Sequence, residues 1–411
     1  MNKSLRQDAD EIIRSALRAV RPDEAVARAL SGVTLSGRVL LVAAGKAAWQ
    51  MARAARDCLG SRIERGVVVT KYGHVMGPIE GMTCYEAGHP VPDENSFTGT
   101  QAALDLVSGL SAEDTVLFLL SGGGSALFEK PLVSGEELQD VTGQLLACGA
   151  NIVEINTLRK RLSAVKGGRF AQLCAPAQVH AVVLSDILGD PLDMIASGPA
   201  CPDSSTCAQA MEVVRKYGLK LSPAALALLG QETPKTLDNV STQITGSVRE
   251  LCRAAGDTCR ALGYEPVLLT DLLSCQAKEA GSFLASIVRT HAGSGKNLAF
   301  IAGGETVVVL TGKGKGGRNQ ELALAAAEGI DGMENAAVFS VGSDGTDGPT
   351  DAAGGYADGG TAQALRGQGV SISQVLRDND AYHALKACGG LIVTGPTGTN
   401  VNDVAVALLR A

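Results

Sequence analysis

Residues 305–321 read ETVVVLTGKGKGGRNQE, and this stretch decides how the rest of the chain is interpreted. Its β-branched beginning predicts a strand, the glycines after it predict a loop, and an alanine-rich helix is expected through Glu328. A strand–loop–helix unit points backbone N–H groups and a helix N-terminus at one spot, which attracts anions. Lys313, Lys315 and Arg318 add three positive charges. We therefore predict an anion site at this loop.

The sequence of this loop is compatible with two kinds of ligand, a dinucleotide and the phosphates of a nucleotide triphosphate. Gly312, Gly314 and Gly317 match G-x-G-x-x-G, the pattern of a dinucleotide-binding loop. Such a loop normally belongs to the first βαβ unit and has an acid at the end of the next strand. Asp344 does end the next predicted strand, but the loop lies far along the chain and carries three cations. The pattern favours the phosphates of a nucleotide triphosphate and leaves a dinucleotide as the alternative.

Alternation of strand, loop and helix recurs along the whole chain. Buried strands are predicted at 38–44 (RVLLVAA), 115–120 (TVLFLL) and 179–185 (VHAVVLS), and a last helix is predicted from Val401. A chain of 411 residues is too long for one ordinary core. We predict an α/β protein of two three-layer domains, 1–238 and 239–411, divided at a polar stretch that lacks apolar runs.

Composition excludes several classes of partner. The net charge of -7 and pI near 5.4 argue against nucleic acid, which needs a basic surface. No apolar run approaches the roughly 20 residues of a membrane helix, and the polar start of the chain predicts no signal peptide. The ten cysteines form no C-x-x-C pair, which indicates reduced thiols. We expect a cytoplasmic protein without nucleic-acid or membrane partners.

Two further loops at predicted strand ends are candidate anion sites. Lys46 follows the first strand, where ligands bind in open α/β sheets. A loop of three glycines between two serines follows the strand predicted at 115–120, and consecutive glycines can present several backbone N–H groups to an anion. His89 is an open candidate for a base or a plain hydrogen-bonding group. The residues of the glycine loop are Ser121, Gly122, Gly123, Gly124 and Ser125.

Carboxylates cluster at two other strand ends. Asp186 and Asp190 follow the strand predicted at 179–185, and Asp344, Asp347 and Asp351 follow a strand near the C-terminus. Aspartate alone in such a loop is commonly a turn former or a helix cap. Two clusters at equivalent positions favour a site for Mg²⁺ and phosphate, because phosphoryl transfer requires both.

Taken together, the motifs resemble those of the class II glycerate kinases, the glycerate 2-kinase family with a MOFRL domain. They occur in order over nearly the whole chain: AAGKAA (43–48), GHPVPDENS (88–96), SGGGSAL (121–127), NTLRKRLSAVKGGR (156–169), LSDILGDPLDMIASGP (184–199), GGETVV (303–308), GKGKGGRNQE (312–321), SVGSDGTDGPTDAAG (340–354) and TGPTGTNVND (394–403).

The resemblance implies ATP-dependent phosphorylation of D-glycerate at its 2-hydroxyl with Mg²⁺, giving 2-phosphoglycerate and ADP. It also implies a Rossmann-like N-terminal domain, a smaller C-terminal MOFRL domain and an active site in the cleft between them. Some members of the family are labelled hydroxypyruvate reductase. An NAD(P)H-dependent hydroxypyruvate reductase is therefore the alternative, and a homodimer is left open.

Within this interpretation each candidate residue has a role. The 121–125 loop, Lys313 and Lys315 bind the nucleotide, while Lys46 and Arg318 hold the transferred phosphoryl group and the glycerate carboxylate. Asp186 and Asp344 are the catalytic carboxylates, and Asp190 and Asp347 are the metal ligands. Which carboxylate accepts the proton of the 2-hydroxyl stays open.

Overall fold

The computed structural model describes residues 1–411, which form two compact units. The central unit is Pro22–Thr245, and the terminal unit combines Met1–Arg21 with Gly246–Ala411. The helices are α1 (Lys3–Ala19), α2 (Pro22–Leu30), α3 (Ala48–Leu59), α4 (Glu94–Leu106), α5 (Gly124–Leu127), α6 (Gly135–Ala147), α7 (Ile152–Leu162), α8 (Arg169–Cys174), α9 (Cys207–Tyr217), α10 (Pro223–Leu229), α11 (Val248–Ala261), α12 (Ala277–His291), α13 (Arg318–Gly329), α14 (Thr361–Gly367), α15 (Ile372–Arg377) and α16 (Ala381–Ala387). The strands are β1 (Val39–Ala44), β2 (Ile63–Lys71), β3 (Met82–Ala87), β4 (Thr115–Leu120), β5 (Gln178–Leu184), β6 (Val240–Gly246), β7 (Glu265–Leu273), β8 (Leu298–Gly304), β9 (Ala336–Gly342), β10 (Gly354–Asp358), β11 (Leu391–Ile392) and β12 (Asp403–Leu409).

The central unit contains a six-stranded sheet in the order β3-β2-β1-β4-β5-β6. Neighbouring strands from β3 to β5 are parallel, and every residue of β1 and β4 is buried. Separate apolar clusters cover the two faces of the sheet, which explains why these strands are continuous apolar runs. The carboxyl ends of β1, β4 and β5 consequently meet at one edge. This arrangement confirms the predicted α/β class.

The terminal unit contains a second six-stranded sheet in the order β11-β10-β9-β12-β8-β7. Its last strand, β12, lies between β8 and β9 and is antiparallel to both. The prediction of a helix from Val401 is therefore wrong. All seven residues of β12 are buried, because it has a strand on either side and helices pack over the sheet. A short run of small and branched apolar residues fits that position.

Helix α1 belongs to the terminal unit, although it begins the chain. It packs against α11, and its Asp8 accepts hydrogen bonds from the Tyr264 hydroxyl and, at 2.7 Å, from the Arg410 guanidinium. The unit boundaries therefore differ from the predicted division at 238/239. Buried polar contacts hold the N-terminal helix to the C-terminal unit, and β6 carries the central unit's sheet past residue 239.

The segment after β8 also departs from the prediction. The strand ends at Gly304, and 305–317 is irregular apart from one bridge between Val307 and Gln276. A strand needs a neighbour along its length to pair its backbone groups. Here both edges of β8 are already occupied by β7 and β12, so the following residues leave the sheet and Leu310 is 81% exposed. The predicted helix after the loop is confirmed as α13.

None of the helices combines the length and the apolar composition that a bilayer span requires.

Close packing of α12 on α13 gives a stability prediction. A Cβ at Gly281 would lie 2.1 Å from the Leu322 carbonyl oxygen, so Gly281→Ala must push the helices apart. We expect a loss of about 1–3 kcal/mol in the free energy of unfolding, measured by urea denaturation. The control is Gly367→Ala in α14, where a Cβ meets nothing within 4 Å. Equal stability of the two variants would contradict the packing.

Candidate functional site

Three loops of the central unit converge where β1, β4 and β5 end. The loop after β1 is tied to the loop after β4 by two hydrogen bonds. The Lys46 N–H donates to the Gly122 carbonyl at 2.9 Å, and the Ala47 N–H donates to the Ser121 hydroxyl at 3.0 Å. The predicted site residue Ser121 is therefore 97% buried and fixes the neighbouring loop.

Backbone N–H groups of the loop after β4 are free to bind an anion. Those of Gly122, Gly123, Gly124 and Ser125 have no acceptor within the protein. Gly123 has φ of 85°, in the left-handed region where glycine is favoured. The helix that follows, α5, has only four residues, so the binding capacity lies in the N–H groups rather than in a long helix. We call these residues the 122–125 loop.

Asp186, after β5, lies directly against this loop. A Cβ at Gly122 would be 2.1 Å from an Asp186 carboxylate oxygen, so only glycine permits the approach. Asp190, four residues further on, has φ of 52°, and its Oδ1 is buried without a hydrogen-bond partner. The structure thus places both predicted carboxylates on the segment that follows β5. No group of three or more Asp, Glu, His or Cys side chains in the structure is arranged to hold a metal ion by itself.

Lys46 and His89 lie close to Gly123 of the 122–125 loop. A Cβ at Gly123 would lie 3.1 Å from atoms of both the Lys46 side chain and the His89 ring. Burial lowers the pKa of His89, and the positive charge of Lys46 lowers that pKa further. The imidazole is consequently neutral at pH 7 and has a ring nitrogen available as an acceptor. The sequence left the role of His89 open, and the structure places it beside the loop.

Arg318, the first residue of α13, is held by two carboxylates in the terminal unit. Its Nε and Nη2 donate to the Asp403 carboxylate, the latter at 3.0 Å, and its Nη1 lies 3.2 Å from Glu305 Oε1. Asp403 is 95% buried at the start of β12 and was missed by the sequence analysis. A carboxylate opening an apolar strand was the signal that could have found it, but that strand was predicted as a helix.

Asp344 lies in the same part of the terminal unit. A Cβ at Gly342 would be 3.4 Å from an oxygen of Asp344 and 3.4 Å from one of Asp403. Asp344 Oδ1 accepts the Thr346 N–H at 2.9 Å, which leaves Oδ2 for another partner. The structure therefore brings Asp344 and Arg318 to one region around Asp403.

Asp347 was predicted to be a metal ligand, but N–H donors of the protein surround its carboxylate. It is 97% buried, and its two carboxylate oxygens accept the N–H groups of Asn319 (3.1 Å) and Gln320 (2.9 Å) in the first turn of α13. The Gln320 side-chain amide donates to it as well. Asp347 thus occupies the helix N-terminus that the sequence had assigned to an external anion. These contacts give it a structural role.

Most backbone N–H groups of the basic loop before α13 already donate to acceptors within the terminal unit. The Gly312 N–H donates to the Asn379 side chain at 2.9 Å, and the Gly314 N–H donates to the Asp378 carbonyl at 2.7 Å. A Cβ at Gly312 would lie 2.3 Å from Asp378 Cα. Gly312 and Gly314 therefore allow the loop to pack on the 378–380 turn, and their N–H groups are not open to a phosphate.

The two lysines of that loop differ in their side-chain contacts, although both donate a backbone N–H within the unit. The Lys315 N–H donates to Asp380 at 2.9 Å, and the Lys315 ammonium lies 4.6 Å from the centroid of the Tyr382 ring. Lys313 is exposed, and its N–H donates to Asp378 at 3.3 Å. Nucleotide binding by these side chains stays a prediction, while the backbone contribution expected from the loop is already used within the unit.

The fold and the 122–125 loop define an α/β protein with unpaired backbone N–H groups at its strand ends, and comparison with known proteins gives its family. A family model described as a domain of unknown function (DUF4147) matches residues 8–230, and the MOFRL family matches residues 298–403. A D-glycerate 2-kinase from Thermotoga maritima is 53% identical over 99% of each chain. The chain belongs to the glycerate 2-kinase family.

Two further likenesses bear on this result. A crystal structure of glycerate kinase from Thermotoga maritima, 53% identical, has a TM-score of 0.95 and covers 99% of this chain and 100% of that one. A protein of Agrobacterium vitis called a putative hydroxypyruvate reductase is 39% identical over 91% of this chain and 100% of its own length. Relatives of this chain therefore carry both names expected from the sequence motifs, glycerate 2-kinase and putative hydroxypyruvate reductase.

The buried Asp403 gives a pH prediction. Burial raises its pKa to about 6, against the opposing effect of Arg318, whereas an unfolded Asp has a pKa of about 3.9. Between about pH 4 and pH 6, Asp403 is therefore more often protonated in the folded state than in the unfolded chain. We expect the stabilisation from this group to be lost as the pH rises from about 4 to about 6.

Urea denaturation at pH 4, 5, 6 and 7 would measure this change as the difference between the protein and Asp403→Asn. The exposed Asp238→Asn is the matched control, for which we expect no such difference. A free energy of unfolding that rises with pH over this interval for the protein, relative to Asp403→Asn, would contradict the prediction.

Proposed function

We propose that this chain transfers the terminal phosphoryl group of ATP to the 2-hydroxyl of D-glycerate, giving 2-phospho-D-glycerate and ADP. The observation that carries the proposal is the 122–125 loop, where four unpaired N–H groups lie beside the Lys46 side chain. The loop belongs to a chain that is similar over its whole length to a D-glycerate 2-kinase. An anion site of this kind suits the phosphates of a nucleotide.

The chemistry follows from the charge that a phosphoryl group carries. N–H groups fixed at strand ends stabilise negative charge on phosphate oxygens without having to reorganise during the reaction. Lys46 supplies a mobile positive charge at the same place. In this proposal the 122–125 loop binds the nucleotide phosphates, and Lys46 follows the phosphoryl group as it is transferred. Positioning and charge account for most of the catalysis in such a reaction.

The carboxylates after β5 fit a magnesium ion. Mg²⁺ takes oxygen ligands, commonly one or two carboxylates together with phosphate oxygens. Asp190 Oδ1 is a buried acceptor without a partner, and Asp186 touches the 122–125 loop. Asp190 would hold the ion, which would neutralise charge on the phosphates when bound. Asp347, assigned to the metal by the sequence, does not fit, because N–H donors occupy both its oxygens.

Asp186, the group proposed from the sequence and in contact with the 122–125 loop, is the group of the central unit proposed to accept the proton of the 2-hydroxyl. In the terminal unit we propose that Arg318, aligned by Asp403 and Glu305, binds the glycerate carboxylate through its remaining N–H groups. Asp344, adjacent to Asp403, stays a proposed catalytic carboxylate.

A hydroxypyruvate reductase is the weaker alternative. It is supported by the name of the Agrobacterium vitis relative and by the G-x-G-x-x-G pattern formed by Gly312, Gly314 and Gly317. The close contacts of those glycines with the 378–380 turn and with Asp347 explain them without a dinucleotide. We therefore favour the kinase.

Location and partners follow from the same proposal. We propose a cytoplasmic enzyme whose partner is the small molecule D-glycerate; a homodimer stays open. The ten cysteines are all free thiols, as expected in a reducing compartment. The net charge of -7 is unsuited to nucleic acid.

A paired assay tests the reaction. We expect ADP release when the protein is incubated with D-glycerate and MgATP, and no oxidation of NADH or NADPH when it is incubated with hydroxypyruvate. NMR of the phosphorylated product would show the phosphate on the 2-hydroxyl. Cofactor oxidation without ADP release would instead support the reductase, and phosphate on the 3-hydroxyl would correct the position of transfer.

Substitution of the two cations tests the site. Lys46→Met removes the charge beside the 122–125 loop, and we expect kcat/KM to fall about a hundredfold or more. Lys220→Met, at an exposed lysine away from the strand ends, is the matched control and should keep full activity. Lys46→Met with near-normal kinetics would remove this residue from the mechanism.

Arg318 needs a conservative variant, because Arg318→Ala would leave the buried Asp403 without its cation. Arg318→Lys keeps the charge but loses the planar, two-pronged contact. We expect a large rise in the KM for D-glycerate with folding retained, as checked by thermal denaturation. An unchanged KM for glycerate would show that Arg318 only supports the fold.

A further inference from the structure

A cavity of about 490 Å³ opens beside the 122–125 loop in the central unit. Gly123 and Ser125 of the loop form part of its lining, so a ligand whose phosphates bind the loop would have its remaining part at this cavity. The volume lies within the roughly 300–1,000 Å³ that small-molecule sites usually occupy. It is much larger than D-glycerate requires.

The walls of the cavity are mostly apolar. Leu138 and Leu146 of α6 form one side, and Val91, between two prolines, and Ala126 contribute others. Leu146 is 65% exposed, and Val91 is 57% exposed. Large apolar side chains left open around a concave surface favour a flat, weakly polar ligand group.

Two charged side chains in the lining have capacity left for a ligand. Glu129 is 98% buried, and its Oε2 pairs with the Lys166 ammonium at 3.2 Å, but its Oε1 has no hydrogen-bond partner. A buried acceptor without a donor is costly unless a ligand supplies one. Arg159 also lines the cavity, and burial lowers the pKa of its guanidinium, which has no hydrogen-bond partner within the protein.

We propose that this cavity binds the nucleoside part of the nucleotide. The base lies against the apolar wall of α6, and a ribose hydroxyl or the exocyclic amino group of adenine donates to Glu129 Oε1. Arg159 faces the base or the nearest phosphate, either of which suits a guanidinium. The inference rests on the proposed function, since it takes the 122–125 loop as the phosphate site.

The observations disfavour D-glycerate as the occupant. D-glycerate could pair its carboxylate with Arg159 and donate a hydroxyl to Glu129 Oε1, but it would leave the apolar walls and most of the volume of about 490 Å³ unfilled. A nucleoside supplies the hydrogen-bond donor, the flat apolar surface and the size together.

Gly143 allows the cavity to be filled without disturbing the fold. It lies in α6 on the cavity wall, and a Cβ there would meet nothing within 4 Å. Gly143→Phe should therefore fold, because replacing a glycine inside a helix favours the helix. Its ring would occupy space that the nucleoside needs. Gly143→Ala is the matched control, since it makes the same change to the backbone without filling the cavity.

We expect Gly143→Phe to raise the KM for ATP about tenfold or more, equivalent to roughly 1.4 kcal/mol, while the KM for D-glycerate stays constant. Gly143→Ala should behave as the unsubstituted protein. Inorganic tripolyphosphate, which can occupy only the phosphate site, should inhibit both variants equally, whereas adenosine should inhibit Gly143→Phe less. Leu146→Ala, which shortens the wall instead of filling the space, should weaken ADP binding to a smaller extent.

Calorimetry of ADP binding gives a reading that does not depend on turnover. Loss of ADP binding in Gly143→Phe but not in Gly143→Ala supports the inference even if another acceptor replaces glycerate. Unchanged ADP binding in a folded Gly143→Phe overturns it and leaves the proposed kinase intact. A rise in the KM for glycerate alone overturns it as well, because the cavity would then hold the acceptor. Failure of the unsubstituted protein to phosphorylate glycerate would reject the proposed function instead.

Discussion

The close approach of three loops at the carboxyl ends of β1, β4 and β5 is the constraint on which the central unit's site depends. A Cβ at Gly45 would lie 2.3 Å from the Ser121 hydroxyl, and one at Gly122 would lie 2.1 Å from the Asp186 carboxylate. Such contacts are possible only for glycine. They fix the 122–125 loop with its N–H groups unpaired, and they place Asp186 and Lys46 beside it.

The terminal unit also has a glycine-rich loop before a helix, but most of the N–H groups of that loop are paired within the unit. Its glycine-rich loop donates N–H groups to the 378–380 turn, and the N-terminus of α13 is capped by Asp347. Both loops look like anion sites in the sequence. In the terminal unit the N–H groups of Gly312, Gly314 and Lys315 have acceptors within the unit, whereas those of the 122–125 loop have none. Free N–H groups, and not glycine content, therefore distinguish a ligand site from a packed loop.

Each unit contains a buried ion pair. Asp403 is buried against Arg318, and Glu129 is buried against Lys166. Each carboxylate is costly to desolvate and is stabilised by a cation aligned with it. The pair at Glu129 leaves one oxygen unsatisfied, and that oxygen is in the residue that lines the cavity beside the 122–125 loop. The unsatisfied acceptor connects the packing of the central unit with the binding of a ligand.

The sequence by itself determined the α/β class, the buried strands at β1, β4 and β5, and the positions of Lys46, Asp186 and the 122–125 loop. These follow from local patterns: apolar runs bounded by glycine loops, and the rule that parallel strands end at one edge. Tertiary structure alone decided that β12 is a strand, that 305–310 is not, and that α1 belongs with the C-terminal residues. It also decided that Asp347 caps a helix and that Asp403 is the partner of Arg318. Each of those outcomes depends on which distant residue supplies a hydrogen-bond partner or a neighbouring strand, and a local pattern does not contain that information.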